Sequence, residues 1–308
     1  MQEVHSYGPK LVYFYSDGPR SVDDMASVDS CRSVFKQFDW QCEVRVTLRE
    51  QNFGCGLSIK SGLDDLFSQE PAAIILEDDC IPSQAFFSFV GSALNRYQFD
   101  PQVFMVSGFN ELGHWPFKKS RNMNLFGLGG IWGWATWSDR WALMDYDLKL
   151  LSSPQLGRSL SFWRRAGVPK RRIEGLLKGA ASVQAGKVDT WDYQWAITRL
   201  FHLGHSVTPP VNLVKNVGNG ASATHTGGAL GFPKSWNPQK QDWLFRSEVR
   251  LDSWYIKLVD VKRVGIALAN KQLRGLRTIS RLTVHLMRAL APSKRARRRP
   301  RGKRRKLI

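Results

Sequence analysis

Three consecutive carboxylates, Glu77, Asp78 and Asp79, follow an apolar run in the stretch AAIILEDDCIP. Like charges this close repel one another, and a bound cation would offset that repulsion. Carboxylate oxygens at the open end of a buried strand suit Mg²⁺ or Mn²⁺, which bind proteins through one or two carboxylates plus substrate phosphates. The pattern therefore indicates a divalent-metal site, although Asp is also common in helix caps and turns.

Strand-like and helix-like stretches alternate through the first hundred residues and would position these acids. Apolar, β-branched and aromatic runs predict four strands, at residues 11–16, 43–48, 72–78 and 102–108. Apolar residues at three- to four-residue spacing predict a helix that starts at Ser21 and a second helix around 59–67. The alternation favours an α/β fold with a mostly parallel sheet and helices on both faces.

In such a sheet, ligands bind beyond the carboxyl ends of the strands. Asp17, Asn52 and Asp79 each come shortly after a predicted strand. We therefore expect these three side chains at the same edge of the sheet.

Six segments in register resemble a bacterial family of nucleotide-diphospho-sugar transferases. They are SDGPR (16–20), NFGCGLSIKSGLD (52–64), IILEDDCIPSQAFF (74–87), IWGWATWSDRW (131–141), DTWDYQW (189–195) and NVGNGASATHT (216–226). These glycosyltransferases have the GT-A (Rossmann-like) fold, and some carry a hemolytic-protein-like label. The family is similar to animal N-acetylglucosaminyltransferase I, which also uses a Glu-Asp-Asp motif. The resemblance covers about residues 10 to 226 and implies sugar transfer from a nucleotide-sugar donor with a divalent metal, Mn²⁺ or Mg²⁺, at the diphosphate.

The resemblance also implies roles for the acidic and amide side chains. Asp79 would be the direct metal ligand, and Glu77 and Asp78 would face the ribose and sugar of the donor. Asp17 would lie near the nucleoside and Asn52 near the donor site. Asp17 with Gly18-Pro19 is equally typical of a simple turn.

The segment DTWDYQW offers two acids, and an inverting transferase needs a carboxylate base within hydrogen-bond reach of the acceptor hydroxyl. By motif position the base would be Asp192, flanked by Trp191 and Trp195, which could exclude water or stack on sugar. In the alternative interpretation, Asp189 caps the helix that contains Trp195, and Asp192 is merely exposed.

Three tryptophans and one histidine complete the predicted site. Trp132, Trp134 and Trp191 are candidates for acceptor binding, because the amphipathic indole ring lines sugar sites, although core packing is its usual role. His225 could be a metal ligand, as in some GT-A enzymes. A lone histidine is more often a hydrogen-bonded structural residue.

Charge is distributed unevenly along the chain. The 308 residues carry 45 Lys and Arg against 26 Asp and Glu. From Lys257 onward there are 18 cations and one acid, which leaves 27 cations and 25 acids for the preceding 256 residues. The excess positive charge therefore belongs to a C-terminal appendage. No secretory signal is recognisable, no run of 18 apolar residues occurs, and the four cysteines form no CxxC pair, so we expect a cytosolic protein with reduced thiols.

Family members begin with an extra strand and helix before the segment that matches residues 11–16, whereas ten residues precede that segment here. We therefore expect the first strand–helix unit of the GT-A fold to be missing. The predicted organisation is a transferase domain at 1–225, a linker at 226–251, an amphipathic helical segment at 252–292 and a disordered basic tail at 293–308.

The C-terminal appendage predicts a surface-binding element. On a helical wheel for 273–290, basic side chains gather on one side and apolar side chains on the other. Anionic lipid and nucleic acid would both attract such a segment. We favour the inner face of the membrane, because the tail has no interleaved aromatic residues and the body shows no nucleic-acid-binding motif.

Two other functions fit the sequence less well. A sugar nucleotidyltransferase would carry a Gly-rich phosphate loop with a basic residue near its first strand, and none is visible. The non-enzymatic alternative is an inactive, truncated relic that binds anionic membrane or nucleic acid.

Overall fold

The computed structural model describes residues 2–37, 40–115, 123–218 and 242–268, which form a mixed α/β structure. The strands are β1 (Leu11–Ser16), β2 (Glu43–Leu48), β3 (Ala72–Ile75), β4 (Cys80–Pro82), β5 (Val103–Ser107), β6 (Leu125–Gly127), β7 (Trp134–Trp137), β8 (His205–Thr208) and β9 (Val214–Asn216). The four strands predicted from sequence are β1, β2, β3 and β5, and their existence is confirmed.

The helices are α1 (Gln2–Tyr7), α2 (Met25–Arg32), α3 (Gly54–Phe67), α4 (Gln84–Tyr97), α5 (Ser138–Trp141), α6 (Leu156–Arg165), α7 (Lys170–Gln184) and α8 (Asp192–Phe201). Residues 253–268 are also helical and are called α9. Short 3₁₀ turns at Val22–Asp24 and Ser33–Gln37 flank α2. Both predicted helices, α2 and α3, are therefore present.

The main sheet has five strands in the order β3-β7-β5-β8-β6. β5 and β8 are parallel neighbours, whereas the β3–β7, β5–β7 and β6–β8 pairs are antiparallel. Three strands (β3, β5 and β8) thus point one way and two point the other. The prediction of an α/β fold is confirmed, but the expected mostly parallel arrangement is corrected to a mixed sheet, because β7 from the Trp-rich region lies between β3 and β5.

β1 and β2 form a separate parallel pair that packs against α3. The ring of Tyr15 lies against Gly62, where a Cβ would be 3.3 Å from the ring. The Tyr15 hydroxyl also donates to the carboxylate of Asp65 at 2.8 Å. These contacts fix the end of β1 against the second half of α3.

The core beneath the main sheet is formed largely by α4. Ser83 caps this helix by accepting a hydrogen bond from the amide of Phe86 at 3.3 Å. Apolar side chains at helical spacing, Phe86, Phe89, Val90 and Ala93, are fully buried against the strands. Burial of each large side chain contributes about 2 kcal/mol, so α4 holds the strand ends, and the loops that follow them, in fixed positions.

Residues 242–268 belong to the folded body as far as Val264, where the first compact unit ends. Trp243, Phe245 and Val249, in a stretch predicted as linker, pack against the core that contains α4. Tyr255 of α9 is buried. The predicted domain boundary at residue 225, the predicted amphipathic stretch at 273–290 and the basic tail lie outside the described residues. Within the described chain, no helix is long and apolar enough to cross a membrane.

Candidate functional site

The three consecutive acids lie in the connection between β3 and β4. β4 pairs with β9, which places Asn216 opposite Cys80. The amide of Val217 then donates to the carbonyl of Asp79 at 2.8 Å. Gly218 lies so close to Asp79 that a Cβ at this position would overlap the carboxylate. The segment NVG of the sixth matched motif therefore lies directly against the acidic motif.

His225 lies outside the described residues, seven positions beyond Gly218 in the sequence. Its predicted role as a metal ligand stays a prediction.

Glu77 lies in a strongly acidic environment. Burial, together with the nearby charges of Asp79, Asp78 and Asp192, raises the pKa of its carboxyl to about 8. Its Oε1 atom is buried and has no hydrogen-bond partner. Within the described part of the chain, no Lys or Arg forms an ion pair with any of the three consecutive acids. The structure thus concentrates negative charge here without a protein cation to balance it.

Asp192 is the first residue of α8 and joins this acidic group from a distant part of the sequence. Its Oδ1 accepts hydrogen bonds from the hydroxyl of Thr190 at 2.7 Å and from the amide of Tyr193 at 2.9 Å. Both bonds go to the same oxygen, and the residue is only partly buried. The tertiary structure therefore brings the predicted base and the predicted metal-binding acids into one electrostatic cluster.

Asp17 and Asn52 close the loops at the start of α3. The carboxylate of Asp17 accepts hydrogen bonds from the amides of Gly18, Phe53 and Gly54 at 2.9–3.1 Å. The side-chain amide of Asn52 donates to the carbonyl of Gly18 at 2.8 Å. Both side chains follow β1 and β2 as expected, but this strand pair is separate from the main sheet that contains β3, so the expected single sheet edge shared with Asp79 is corrected. These hydrogen bonds match the turn interpretation. Their donor-binding roles stay predictions.

Asp189 has a structural role that the sequence analysis missed. Its carboxylate accepts hydrogen bonds from the amides of Cys55 and Gly56 at 2.8 and 2.9 Å. A Cβ at Gly54, whose φ is +76°, would overlap this carboxylate, and a Cβ at Gly56 would lie 2.8 Å from it. The glycines of NFGCG therefore allow Asp189 to approach the helix. Asp189 is a cap, as the alternative interpretation held, but of α3 rather than of its own helix α8.

Cys55 lies near the acidic group, since the charges of these acids act on its thiol. The only sequence signal for this position is that Cys55 falls in one of the six matched segments. Burial, together with the charges of Glu77, Asp189 and Asp192, raises the pKa of its thiol to about 11. The thiol is therefore protonated at neutral pH and is a poor nucleophile.

The tryptophans divide into core residues and one partly exposed residue. Trp134 and Trp191 are fully buried and stack on each other with ring centroids 5.2 Å apart, next to Trp141 and Trp195. Their predicted acceptor binding does not fit this burial, since neither ring has a face open to a ligand. Both rings belong instead to the hydrophobic core, in the same cluster as Trp195 of α8.

Trp132 is the remaining acceptor candidate among the three predicted tryptophans. It is partly buried and packs edge-on against Phe109, with ring centroids 4.6 Å apart. Its acceptor role stays a prediction.

The ligand atoms of the acidic group limit the kind of metal ion that could bind there. The described residues include no set of three His, Cys, Asp or Glu side chains placed to hold a metal together. Mg²⁺ and Mn²⁺ sites that bind substrate phosphates need only one or two carboxylates from the protein. The acidic group offers hard carboxylate oxygens, and one of them, Oε1 of Glu77, is buried without a hydrogen-bond partner. These ligands fit an ion shared with a substrate phosphate and not a site in which the protein supplies every ligand.

Comparisons with known proteins do not identify a family for this chain. No protein-family model matches the sequence, and no curated protein is found to match it. The function must therefore be inferred from the site and the sequence motifs.

Proposed function

We propose that the protein is a metal-dependent glycosyltransferase that transfers a sugar, with inversion, from a nucleotide-diphospho-sugar to a glycan or lipid-linked acceptor. Its α/β body would be a variant of the GT-A fold. The observation that carries this proposal is the effect of Asp192 on the acidic motif: its charge helps to raise the pKa of Glu77, although more than a hundred residues separate the two in the sequence.

Asp79 would hold a Mn²⁺ or Mg²⁺ ion, with Glu77 beside it. When bound, the ion would neutralise the charge of the donor diphosphate as it leaves. Asp78, the middle residue of the acidic motif, is exposed and would accept hydrogen bonds from the donor's ribose or sugar hydroxyls. The segment at Val217–Gly218 covers Asp79 from the opposite side.

Asp192 would act as the base that takes the proton from the acceptor hydroxyl. The hydroxyl of Thr190 and the amide of Tyr193 orient one carboxylate oxygen. The second oxygen receives neither of these bonds and could accept the proton. Trp191 and Trp195, which flank Asp192 in the sequence, are buried and would exclude water from this side of the site.

The basic C-terminal tail would hold the enzyme at an anionic membrane surface on the cytoplasmic side, where lipid-linked acceptors are found. Residues 269–308 contain 15 Lys and Arg and no Asp or Glu. Each cation near an anionic surface contributes on the order of 1 kcal/mol to binding. Nucleic acid is the competing partner, and a direct comparison of the two polyanions at equal charge would decide between them.

The test is metal-dependent binding of a nucleoside diphosphate. We expect the full-length protein to bind UDP or another nucleoside diphosphate more tightly with Mn²⁺ than with a chelator, as measured by isothermal titration calorimetry. Asp79→Asn should remove the metal-dependent part of the affinity. Asp147→Asn, which changes an exposed acid paired with Lys149, is the matched control and should leave the affinity unchanged. Metal-independent binding, or full binding by Asp79→Asn, would overturn the proposal.

A further inference from the structure

The helix α9 presents two apolar faces. On the inner face, Tyr255, Ile256 and Val259 are buried in the body. On the outer face, Trp254 is 67 % exposed and Val261, two turns later, is 64 % exposed. Because residues seven apart lie on the same side of a helix, these two side chains form one outward stripe.

The apolar character of this stripe continues along the sequence. Leu268 follows at the same seven-residue spacing and is 59 % exposed. Leu258, which is partly buried, lies between Trp254 and Val261 at four-residue spacing. Single exposed apolar residues are common on protein surfaces, but an aligned set that includes a tryptophan is a candidate surface for apolar contact.

The charges around the stripe are positive. The ammonium of Lys257 lies over the ring of Trp254, 5.6 Å from its centroid. The one acid between residues 254 and 268 is Asp260, which is buried and paired with Arg171. The edge of the stripe therefore carries the ammonium of Lys257, and the single carboxylate of this segment is already neutralised.

We infer that the outer face of α9, defined by Trp254, Lys257 and Val261, rests on an anionic lipid surface. An indole ring beside a lysine is the combination that membrane interfaces favour: the ring enters the headgroup region and the ammonium stays with the phosphates. Lys257, which borders the stripe, and the 15 Lys and Arg that follow it in sequence complement anionic lipid. Trp254, Lys257 and Val261 all belong to the compact unit that ends at Val264.

A second copy of the chain fits this face less well. A stable protein–protein interface buries about 800 Å² on each partner, whereas the stripe is one helix face bordered by positive charge that a second copy would repeat. Two copies packed through this face would bring like charges together, which opposes association.

Vesicle co-sedimentation of the full chain tests the inference. We expect the double variant Trp254→Ser with Val261→Ser to partition at least tenfold less onto vesicles of phosphatidylcholine and phosphatidylglycerol than the parent protein. The difference should be largest at 0.5 M salt, since attraction by the exposed tail is then screened and apolar insertion is not. Phe99→Ser, which removes an 89 % exposed apolar ring outside α9, is the control and should bind like the parent protein.

Several outcomes would overturn the inference. These are parent-level vesicle binding by the double variant, no vesicle binding by the parent protein, or a parent dimer that the double variant converts to a monomer in light scattering without lipid. The inference does not rest on sugar transfer. The double variant should keep metal-dependent nucleoside diphosphate binding, so failure of the lipid surface and failure of the donor site give different results.

Discussion

Asp17 and Asp189 cap the same helix, although 172 positions separate them in the sequence. Asp17 accepts hydrogen bonds from the amides of Phe53 and Gly54, and Asp189 accepts them from the amides of Cys55 and Gly56. The first amides of a helix have no partner within the helix, and negative charge is favourable there. The start of α3 thus joins the loop after β1 to the segment that carries Asp192.

Loss of the second cap should destabilise the protein. Asp189→Ala leaves two helix amides without their carboxylate, which costs about 1–2 kcal/mol, and Asp189→Asn should cost less because an amide oxygen still accepts. Urea unfolding measures the change. Asp147→Ala, an exposed acid in a surface ion pair, should change stability by less than about 1 kcal/mol. Equal effects of Asp189→Ala and Asp147→Ala would contradict this role.

Gly54→Ala should cost more than an ordinary glycine replacement. Its φ of +76° is strained for alanine, and the new Cβ would overlap the carboxylate of Asp189. We expect a loss of at least about 1 kcal/mol in chemical unfolding. Gly175→Ala is the matched control, because a Cβ there meets nothing within 4 Å and alanine favours the helix by up to about 1 kcal/mol. If Gly54→Ala left the free energy of unfolding unchanged, the loop would have to accommodate the new Cβ, and the predicted strain would be wrong.

The raised pKa of Glu77 predicts that stability falls as the pH rises. Its carboxyl has a pKa of about 8 in the folded protein against an ordinary value of 4.5, so between these values the folded chain binds more protons than the unfolded chain. The contribution is fully present below pH 4.5 and is lost as the pH approaches 8, with a slope on the order of 1 kcal/mol per pH unit.

Unfolding midpoints in chelator from pH 5 to 8 would measure this dependence. Glu77→Gln should flatten the profile, because it removes the titrating group. Glu174→Gln, at an exposed pair with Lys170, should leave the profile as it is. A Glu77→Gln profile as steep as that of the parent protein would rule out Glu77 as the source.

Asp192→Asn should separate catalysis from donor binding. The amide keeps the shape of the side chain and its contacts with Thr190 but cannot take a proton. Loss of a general base lowers turnover by roughly 10²–10⁴-fold. We expect release of nucleoside diphosphate from a panel of nucleotide-sugars to fall by this factor, with nucleoside diphosphate affinity unchanged. Undiminished turnover would remove Asp192 as the base.

The ion pair between Glu111 and Arg172 should be important for anchoring α9. The carboxylate of Glu111 lies 3.2 Å from Arg172 and also bonds Arg263, and both Glu111 and Arg172 are largely buried. Glu111→Ala would leave a buried guanidinium without its partner, at a cost of roughly 3 kcal/mol in thermal or urea unfolding. Glu174→Ala removes an exposed partner of Lys170 and should cost less than about 1 kcal/mol. Similar losses for both variants would contradict the anchoring role.

The sequence by itself determined the local elements and the chemistry of the acidic motif. Apolar periodicity is a local property, so β1, β2, β3, β5, α2 and α3 were all found from it. Three acids after a strand likewise indicated a cation-binding edge, and the charge count separated the basic tail from a nearly neutral body.

The tertiary structure decided which distant residues meet. The mixed strand order depends on β7 entering between β3 and β5, and strand pairing is not encoded in the pattern of a single strand. The sequence identified Asp189 as a possible helix cap, but it suggested the neighbouring helix α8. Asp189 caps α3 instead, because Gly54 and Gly56 let its carboxylate approach the amides at the start of that helix. From sequence, the indole rings of Trp134 and Trp191 were equally compatible with core packing and with ligand binding. Their full burial in the structure shows that they are core residues. Burial and long-range contact are properties of the folded chain, and a single sequence carries them only indirectly.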